Sequence, residues 1–302
     1  MRFNISLYPC SMLLALTLAT AGVAHSQEIG WTSSVSVSPV FQGDSDLDGG
    51  GRYSSRSALV RAGVSADLGQ GSRAGVTLSY DYTDYSFSNP VRFGGTAPWG
   101  TVQRYGVAIP LVLGLKDGWG VGVTPSFDWF QENGADAGDS FAWGGIVSAS
   151  KRFQDGNRLG VGMGVFNRID KTSVFPYVLI DWRLSDKWRL VNPLPAGPTG
   201  AAGLELEYRF DSGWNVGVGA AWRSSRFRLS NDGPVANGIG EERSVPVFLR
   251  ATHAFDGRMS LSLYAGVVTA GQLRVENSSG DKVSQVDFDI APLFGATFSA
   301  RF

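Results

Sequence analysis

Charged residues of this chain stand singly between apolar ones, at every second position of several segments. The clearest segment is Leu204–Phe210, LELEYRF, in which two glutamates and an arginine alternate with four apolar residues. Successive side chains of a β-strand point to opposite faces, so these charges share one face. Charges of both signs on one face can pair with each other, or can set a field across a water-filled space. By this alternation the same face receives Arg61, Asp81, Arg104, Asp128, Asp181, Arg183, Glu205, Glu207, Arg209, Arg250, Asp289 and Arg301.

Catalytic chemistry has little support in the sequence. His253 is the one histidine after residue 26, and its neighbours on the same face, Ala251 and Phe255, are apolar. The alternation therefore places the imidazole on the apolar face near a short turn. No pair of acidic residues stands out as an acid–base couple. We predict no catalytic site and no cofactor.

Two glycine-rich stretches and one acidic stretch look like ligand-binding motifs. GVGMGV from Gly160 and GVGA from Gly217 have glycine at every second position inside strands, whereas a dinucleotide loop has its glycines at a strand-to-helix turn. The segment from Asp44 places acids at the first, third and fifth positions of a calcium loop, but Ser55 stands at the twelfth, where such a loop has a bidentate glutamate. We predict a solvated acidic loop and no metal site, and leave calcium binding open.

The first residues predict a secreted protein. Arg2 precedes the apolar run Met12–Ala24, and AHS at positions 24–26 offers small residues where a signal peptidase cleaves. That run is too short to span a bilayer as a helix. We predict a cleaved signal peptide over residues 1–26 and a mature chain over residues 27–302. The only cysteine, Cys10, lies in this signal, so we expect no thiol and no disulfide in the mature chain.

The composition excludes several classes of protein. The 302 residues have a formal net charge of −1, so no surface for binding nucleic acid is implied. The 40 glycines disfavour helices, and neither an amphipathic helix nor an apolar run of membrane-spanning length follows the signal. The mature chain is therefore predicted to be built of strands.

Fourteen segments repeat the alternation, and their connections alternate between short and long. Short turns rich in Gly, Asp and Ser follow every second segment. We predict an all-β fold, a closed antiparallel up-and-down transmembrane β-barrel of about 14 strands, within the range 12–16. The longer polar segments between the short turns are Gln42–Arg52, Ser88–Thr101, Glu132–Ser140, Pro193–Gly200, Ser224–Arg243 and Glu276–Val286.

Aromatic residues mark the ends of the predicted strands. Trp129 lies ten residues after Trp119 on the same face, which at about 3.3 Å per residue and a tilt of about 45° is roughly 23 Å of height, close to the apolar band of a membrane barrel. The strands of a secreted soluble sandwich or lipocalin-like barrel also alternate, but the face opposite their apolar residues would point outward and be rich in Lys and Glu. In this chain, Gly, Ser, Thr and Ala dominate the face opposite the apolar residues. The predicted aromatic girdle is Trp119, Trp129, Trp188, Trp214, Phe153, Phe210 and Phe255.

The segment Ala291–Phe302, APLFGATFSARF, alternates up to its last residue. Together with the signal, the absence of cysteine and the two kinds of connection, it resembles the final strand of Gram-negative outer-membrane β-barrel proteins. The resemblance implies that Phe294, Phe298 and Phe302 are read by the barrel-assembly machinery, with periplasmic chaperones, outer-membrane lipid and lipopolysaccharide as further partners. It also implies a bacterial outer membrane location with both termini periplasmic. The stretch Phe175–Pro193 is similar to uncharacterised outer-membrane barrel families.

Three functions follow from this reading. The first is a porin-like channel for passive diffusion of small solutes, with the charged residues above as pore lining and with Ser88–Thr101 and Ser224–Arg243 as constricting loops. The alternative is a closed structural or surface-binding barrel filled by loops and ion pairs. The third, a barrel lipid hydrolase, rests only on His253, since proteins of that kind resemble each other in using a histidine close to a serine. The solute and the oligomeric state stay open. Space for a pore is expected at the small residues Gly75, Gly106, Gly120, Gly122, Gly160, Gly162, Gly164, Gly217 and Gly219.

Overall fold

The computed structural model describes residues 30–192, 202–255 and 257–302. Most of these residues lie in strands, and the helical turns among them are two short 3₁₀ turns, Val91–Phe93 and Lys116–Gly118. In the described part of the chain, no helix is long and apolar enough to cross a membrane. The predicted signal peptide, residues 1–26, and the predicted loop Pro193–Gly200 lie outside the described residues.

The strand segments form one antiparallel sheet in chain order. Three strands are interrupted: at residues 109–110, where Pro110 has no N–H to donate to the ladder, at Trp222, and at residues 289–290. Counting across these interruptions gives the 14 strands of a closed barrel. The segments are β1 Trp31–Asp46, β2 Arg52–Gly69, β3 Ser72–Ser88, β4 Thr101–Ala108, β5 Leu111–Gly114, β6 Trp119–Glu132, β7 Phe141–Arg152, β8 Arg158–Asn167, β9 Thr172–Arg183, β10 Trp188–Val191, β11 Gly203–Arg209, β12 Trp214–Ala221, β13 Arg223–Arg228, β14 Ile239–Ala254, β15 Met259–Glu276, β16 Lys282–Phe288 and β17 Ala291–Arg301.

The barrel closes where β1 meets β17. Val37 on β1 lies opposite Val60 on β2 and opposite Phe298 on β17, so both edges of β1 are paired. Closure removes the free edges that would otherwise expose unpaired backbone groups. The predicted closed, up-and-down, all-β barrel of about 14 strands is confirmed.

The apolar side chains of the strands face outward, as the alternation predicts. Val147 on β7 lies between Val123 on β6 and Met163 on β8, and all three are exposed. A soluble barrel would bury this face, because a broad exposed apolar surface is costly in water. The outward set also includes Val64, Leu78, Leu113, Phe127, Val161, Val178, Val218, Leu249, Leu263, Phe294, Phe298 and Phe302.

Aromatic residues surround the end of the barrel that has the short turns. Trp119, Phe153, Trp188, Phe210, Trp214 and Phe255 are all exposed there. The Lys151 ammonium lies 5.6 Å from the Trp119 ring centre and 5.8 Å from that of Phe153. Trp129, near the opposite end of β6, packs its ring 5.1 Å from Phe141. That these rings form a girdle at a membrane interface stays a prediction.

At the end of the barrel that has the long loops, the wall divides. β6 pairs with β7 as far as Phe130, and its next residue, Gln131, pairs instead with Arg228 of β13. β13 continues to pair with β14 beyond Trp222, whose N–H donates the last described backbone bond toward β11, to Ala202 O at 2.8 Å. We call this pairing of β13 with β6 the crossing. Two further hydrogen bonds support it: Ser230 N donates to Glu132 Oε2 at 2.9 Å, and Asn231 N donates to Gly134 O at 3.2 Å.

The crossing makes a narrower ring, and an apolar core fills it. The ring consists of β13 to β17, β1 to β4 and the end of β6, while β7, β8 and β9 stand beside it. Phe227 on β13 and Trp99 from the connection before β4 meet inside it, with ring centres 5.2 Å apart. Both are almost inaccessible to solvent, at 0% and 2%. Side chains from the predicted loops Ser88–Thr101 and Ser224–Arg243 therefore close this part of the interior.

The outward apolar band predicts a cost for charge that depends on depth. Val147→Arg, at mid-height, should lower the free energy of unfolding in lipid vesicles by about 2–4 kcal/mol, whereas Leu184→Arg, beside a short turn, should cost about 0–1 kcal/mol. Denaturant titration of the two variants against the unchanged protein measures the difference. Equal costs at the two positions would show that no lipid surrounds this band.

Candidate functional site

Four predicted lumen residues form a continuous ladder of ion pairs across β2, β3, β4 and β6. Arg61 binds both carboxylate oxygens of Asp81, Arg104 Nη1 lies 3.2 Å from Asp81 Oδ2, and Arg104 Nη2 lies 2.8 Å from Asp128 Oδ1. Gly106 stands opposite Asp128 in the register, and a Cβ there would collide with the Asp128 carboxylate. The glycine therefore allows the carboxylate to lie against the wall and reach Arg104.

A second network lies on the opposite side of the barrel. Arg250 on β14 binds Glu205 and Glu207 on β11, with Nε 2.8 Å from Glu205 Oε1. β12 runs between these strands, and the Glu205 side chain passes over it at Gly217, where a Cβ would collide with Oε1. The side chains of Glu205 and Arg250 are 0% and 6% exposed, so each charge depends on the other for its neutralisation.

The remaining predicted lumen residues lie near the short-turn end, with one exception. Asp181 pairs with Arg189, Nη2 to Oδ2 at 2.6 Å, and Arg183, Arg209 and Arg301 are exposed at the rim. Asp289 is the exception. It lies in the interruption between β16 and β17 and is exposed, at the point where the buried positions change from even numbers on β16 to odd numbers at the start of β17, and its place in the lumen stays a prediction. Whether the others line a conducting pore stays a prediction.

Large side chains fill part of the predicted glycine-lined space. At three of these glycines, a neighbouring side chain occupies the position over the missing Cβ: Tyr177 at Gly162, Phe175 at Gly164, and Phe248 at Gly219. Small residues on one strand there accommodate large ones on the next, whereas Gly120 lines a cavity of about 490 Å³.

Open space remains between β13 and the strands beside the narrow ring. A cavity of about 340 Å³ and a cavity of about 680 Å³ adjoin there and share Arg104, Arg168, Phe175, Trp222 and Ser224. We call the two together the arginine–aromatic cavity. Its aromatic surface includes Phe166 and Phe175, whose rings stack with centres 5.7 Å apart and planes inclined by 4°.

Positive charge exceeds negative charge in the described lining of this cavity. The smaller part is lined by five arginines and two aspartates, and the larger part adds Arg243 and Glu241. Arg168, in the connection between β8 and β9, donates to Ser224 Oγ at 3.1 Å and to Ser224 O at 3.0 Å, and it belongs to no ion pair among the described residues. The pKa of Arg168 is lowered, and burial is the largest cause. Glu241 acts against this shift, whereas the positive charges of Arg226, Arg243 and Arg104 add to it.

The sequence reading missed this cavity. Arg226, Phe227, Arg228 and Leu229 alternate in the same way as the wall strands, but they fall inside a segment assigned to a loop. Their alternation was the available signal, since Phe227 and Leu229 enter the apolar core while Arg226 and Arg228 on the other face bind Glu276 and Asp170. Arg168 had no such signal, because it lies in a connection between two strands.

Two further sequence expectations have structural counterparts. His253 lies among girdle aromatics, with its ring centre 4.8 Å from Trp214 and 5.1 Å from Phe255, as the apolar-face assignment predicts. The acidic segment from Asp44 forms the end of β1, a turn and the start of β2. No cluster of three or more potential metal ligands occurs in the ranges that the structure describes.

The Glu205–Arg250 network predicts an asymmetric response to mutation. Arg250→Gln should lower the free energy of unfolding by about 3–5 kcal/mol, because it leaves buried carboxylates without their cation. The triple variant Glu205→Gln, Glu207→Gln, Arg250→Gln should recover most of that loss, since no charge is then left unpaired. Denaturant unfolding measures both. A triple variant as unstable as the single one would show that the pairing of these charges is not what stabilises this side of the barrel.

Comparison with solved structures finds other barrels at low identity. The COG4313 outer membrane channel from Pseudomonas putida F1 shares 12% identity at a TM-score of 0.46, with 94% of this chain and 100% of that one covered. The Pseudomonas putida toluene transporter TodX shares 11% identity at a TM-score of 0.43, with 91% of this chain and 90% of that one covered. The translocator domain of autotransporter NalP from Neisseria meningitidis shares 12% identity at a TM-score of 0.41, with 91% of this chain and 90% of that one covered. Likenesses at this level assign no function to this chain.

A search of the curated proteins finds no match to this chain. A family model does match, over residues 99–299, from Trp99 in the apolar core to Ser299 in the closing strand. The match includes every strand that borders the arginine–aromatic cavity, apart from β2 and β3. The chain belongs to the family described as Domain of unknown function (DUF6268).

Proposed function

We propose that this protein is a bacterial outer-membrane channel through which small solutes diffuse passively. The observation that carries the proposal is the arginine–aromatic cavity inside a barrel whose outer surface is apolar. Its two parts have the size of small-molecule sites. The apolar outer surface supports a membrane location, because a barrel satisfies its backbone groups internally and can therefore lie in lipid.

The proposed path avoids the narrow ring. Trp99 and Phe227 close the inside of that ring, so a solute would pass between β13 and the inner face of β7 to β9. A further cavity of about 490 Å³ at the short-turn end is lined by Arg73, Arg152 and Arg158. A route of this kind is narrower than a porin lumen and is bordered by specific side chains, so we expect small conductance.

The alternative is a closed structural or surface-binding barrel. The apolar core of the narrow ring favours it, because buried side chains from eight strand segments fill that end of the interior as they fill the core of a soluble domain. The ion-pair ladders add to it by satisfying polar groups without a pore. The channel and the closed barrel therefore differ in one property, which is ion flow.

Orientation and biogenesis belong to the same proposal. Phe294, Phe298 and Phe302 are exposed on the outward face of the closing strand, where assembly machinery could bind them. We propose that both termini, together with the short turns, face the periplasm and that the long loops face outward from the cell.

A cysteine at the cavity wall tests the channel. Ser173→Cys places a thiol in the larger cavity, on β9, and the predicted mature chain has no other cysteine. A bulky neutral thiosulfonate should then lower the single-channel current in a planar bilayer by roughly half or more, because the adduct takes a large share of a small-molecule-sized cavity. The current through the unchanged protein should not respond.

The matched control is Ala149→Cys on the outward face of β7. Modification there should leave the current unchanged. A folded protein, shown by a mobility shift on boiling, that passes no current before modification would contradict the channel and support the closed barrel. A current that modification of Ser173→Cys leaves unaltered would contradict the proposed path.

A further inference from the structure

The arginine–aromatic cavity combines two kinds of surface that one class of ligand needs together. Guanidinium groups bind carboxylates through paired hydrogen bonds, and aromatic faces stack on planar rings. Arg168 and Phe175 line both parts of the cavity, so the charged and the aromatic surface meet where the two parts join.

Among the described residues, not every arginine of the cavity has an acidic partner. Arg104 is held by Asp81 and Asp128, whereas the Arg168 guanidinium donates only to Ser224. Arg226 pairs with Glu276 at 2.6 Å and lies 3.6 Å from Glu241 Oε2, although its Nη1 makes no hydrogen bond, so of these three arginines it is Arg168 that lacks an acid. A buried cation without an acidic partner is costly, and an anion from solution would remove part of that cost.

The aromatic side of the cavity is built to present ring faces. Gly144 and Gly164 stand under Phe166 and Phe175, and a Cβ at either position would collide with the ring above it. The two rings therefore lie parallel along the wall. Phe175 and Trp222 are 36% and 52% exposed, so both have surface available for stacking.

We propose that the arginine–aromatic cavity binds an organic carboxylate that carries an aromatic ring, with the carboxylate on Arg168 and the ring against Phe175. The inference deepens the proposed function by naming the class of solute, and it rests on that function only for the step in which the bound carboxylate is conducted. Binding itself requires no open pore. The site is thus testable in detergent, independently of current.

Calorimetry with the detergent-folded protein and three probes provides the test. Benzoate should bind, while acetate, which lacks the ring, and benzyl alcohol, which lacks the charge, should each bind about tenfold more weakly or worse. Equal binding of acetate would reduce the site to an anion site, and equal binding of benzyl alcohol would reduce it to an apolar pocket. Either result, or no binding of benzoate, would overturn the proposal.

Variants assign the binding to this cavity. Arg168→Gln and Phe175→Ala should each weaken benzoate binding about tenfold, while Arg168→Lys should retain part of it. Arg183→Gln, at the exposed short-turn rim, should change nothing. Each variant is used only if its mobility shifts on boiling. Unchanged affinity in folded Arg168→Gln would overturn the proposal, whereas binding without any current would overturn the channel and leave the site in place.

Discussion

The pairing of β13 with β6 is the interaction on which the interior of this barrel depends. Because Arg228 meets Gln131 across the interior, the long-loop end divides into a narrow ring and the three strands beside it. The two faces of β13 then meet different surroundings. Phe227 and Leu229 enter the apolar core, while Arg226 and Arg228 bind polar groups outside it. With one face β13 thus closes the inside of the narrow ring, and with the other it borders the arginine–aromatic cavity, which we propose binds solute.

A simpler constraint applies to the charged side chains on the inner face of the wall strands. Since the apolar side chains of these strands face outward, the charges that alternate with them and are buried inside must be neutralised there. The barrel achieves this with ladders that cross several strands, and glycines such as Gly106 and Gly217 allow the long side chains to lie flat over the wall. Asp128 and Glu205 reach their arginines for this reason. The arginine–aromatic cavity differs, because the Arg168 guanidinium has no acidic partner among the described residues.

The alternation in the sequence was sufficient to predict the wall, because a period of two specifies both the strand and its outward face. Leu204–Phe210 and the closing strand illustrate this. The interruption at residues 289–290 was not predicted, because two residues there shift the alternation and pattern alone does not reveal such a shift. The cavity was not predicted, since Phe175 and Arg168 meet β13 only after β13 has left the wall. That departure is a tertiary event with no local signal beyond the alternation around Phe227.

A disulfide across the interior would test the position of β13 most directly. Adjacent strands lie about 4.8 Å apart, within the Cα separation that a disulfide spans. With Gln131→Cys and Arg228→Cys together in a protein that otherwise has no cysteine after Cys10, mild oxidation in isolated membranes should give an intramolecular crosslink with a changed gel mobility. A folded double variant whose thiols stay free would show that β13 remains in the outer wall, which would contradict the narrow ring and the cavity beside it.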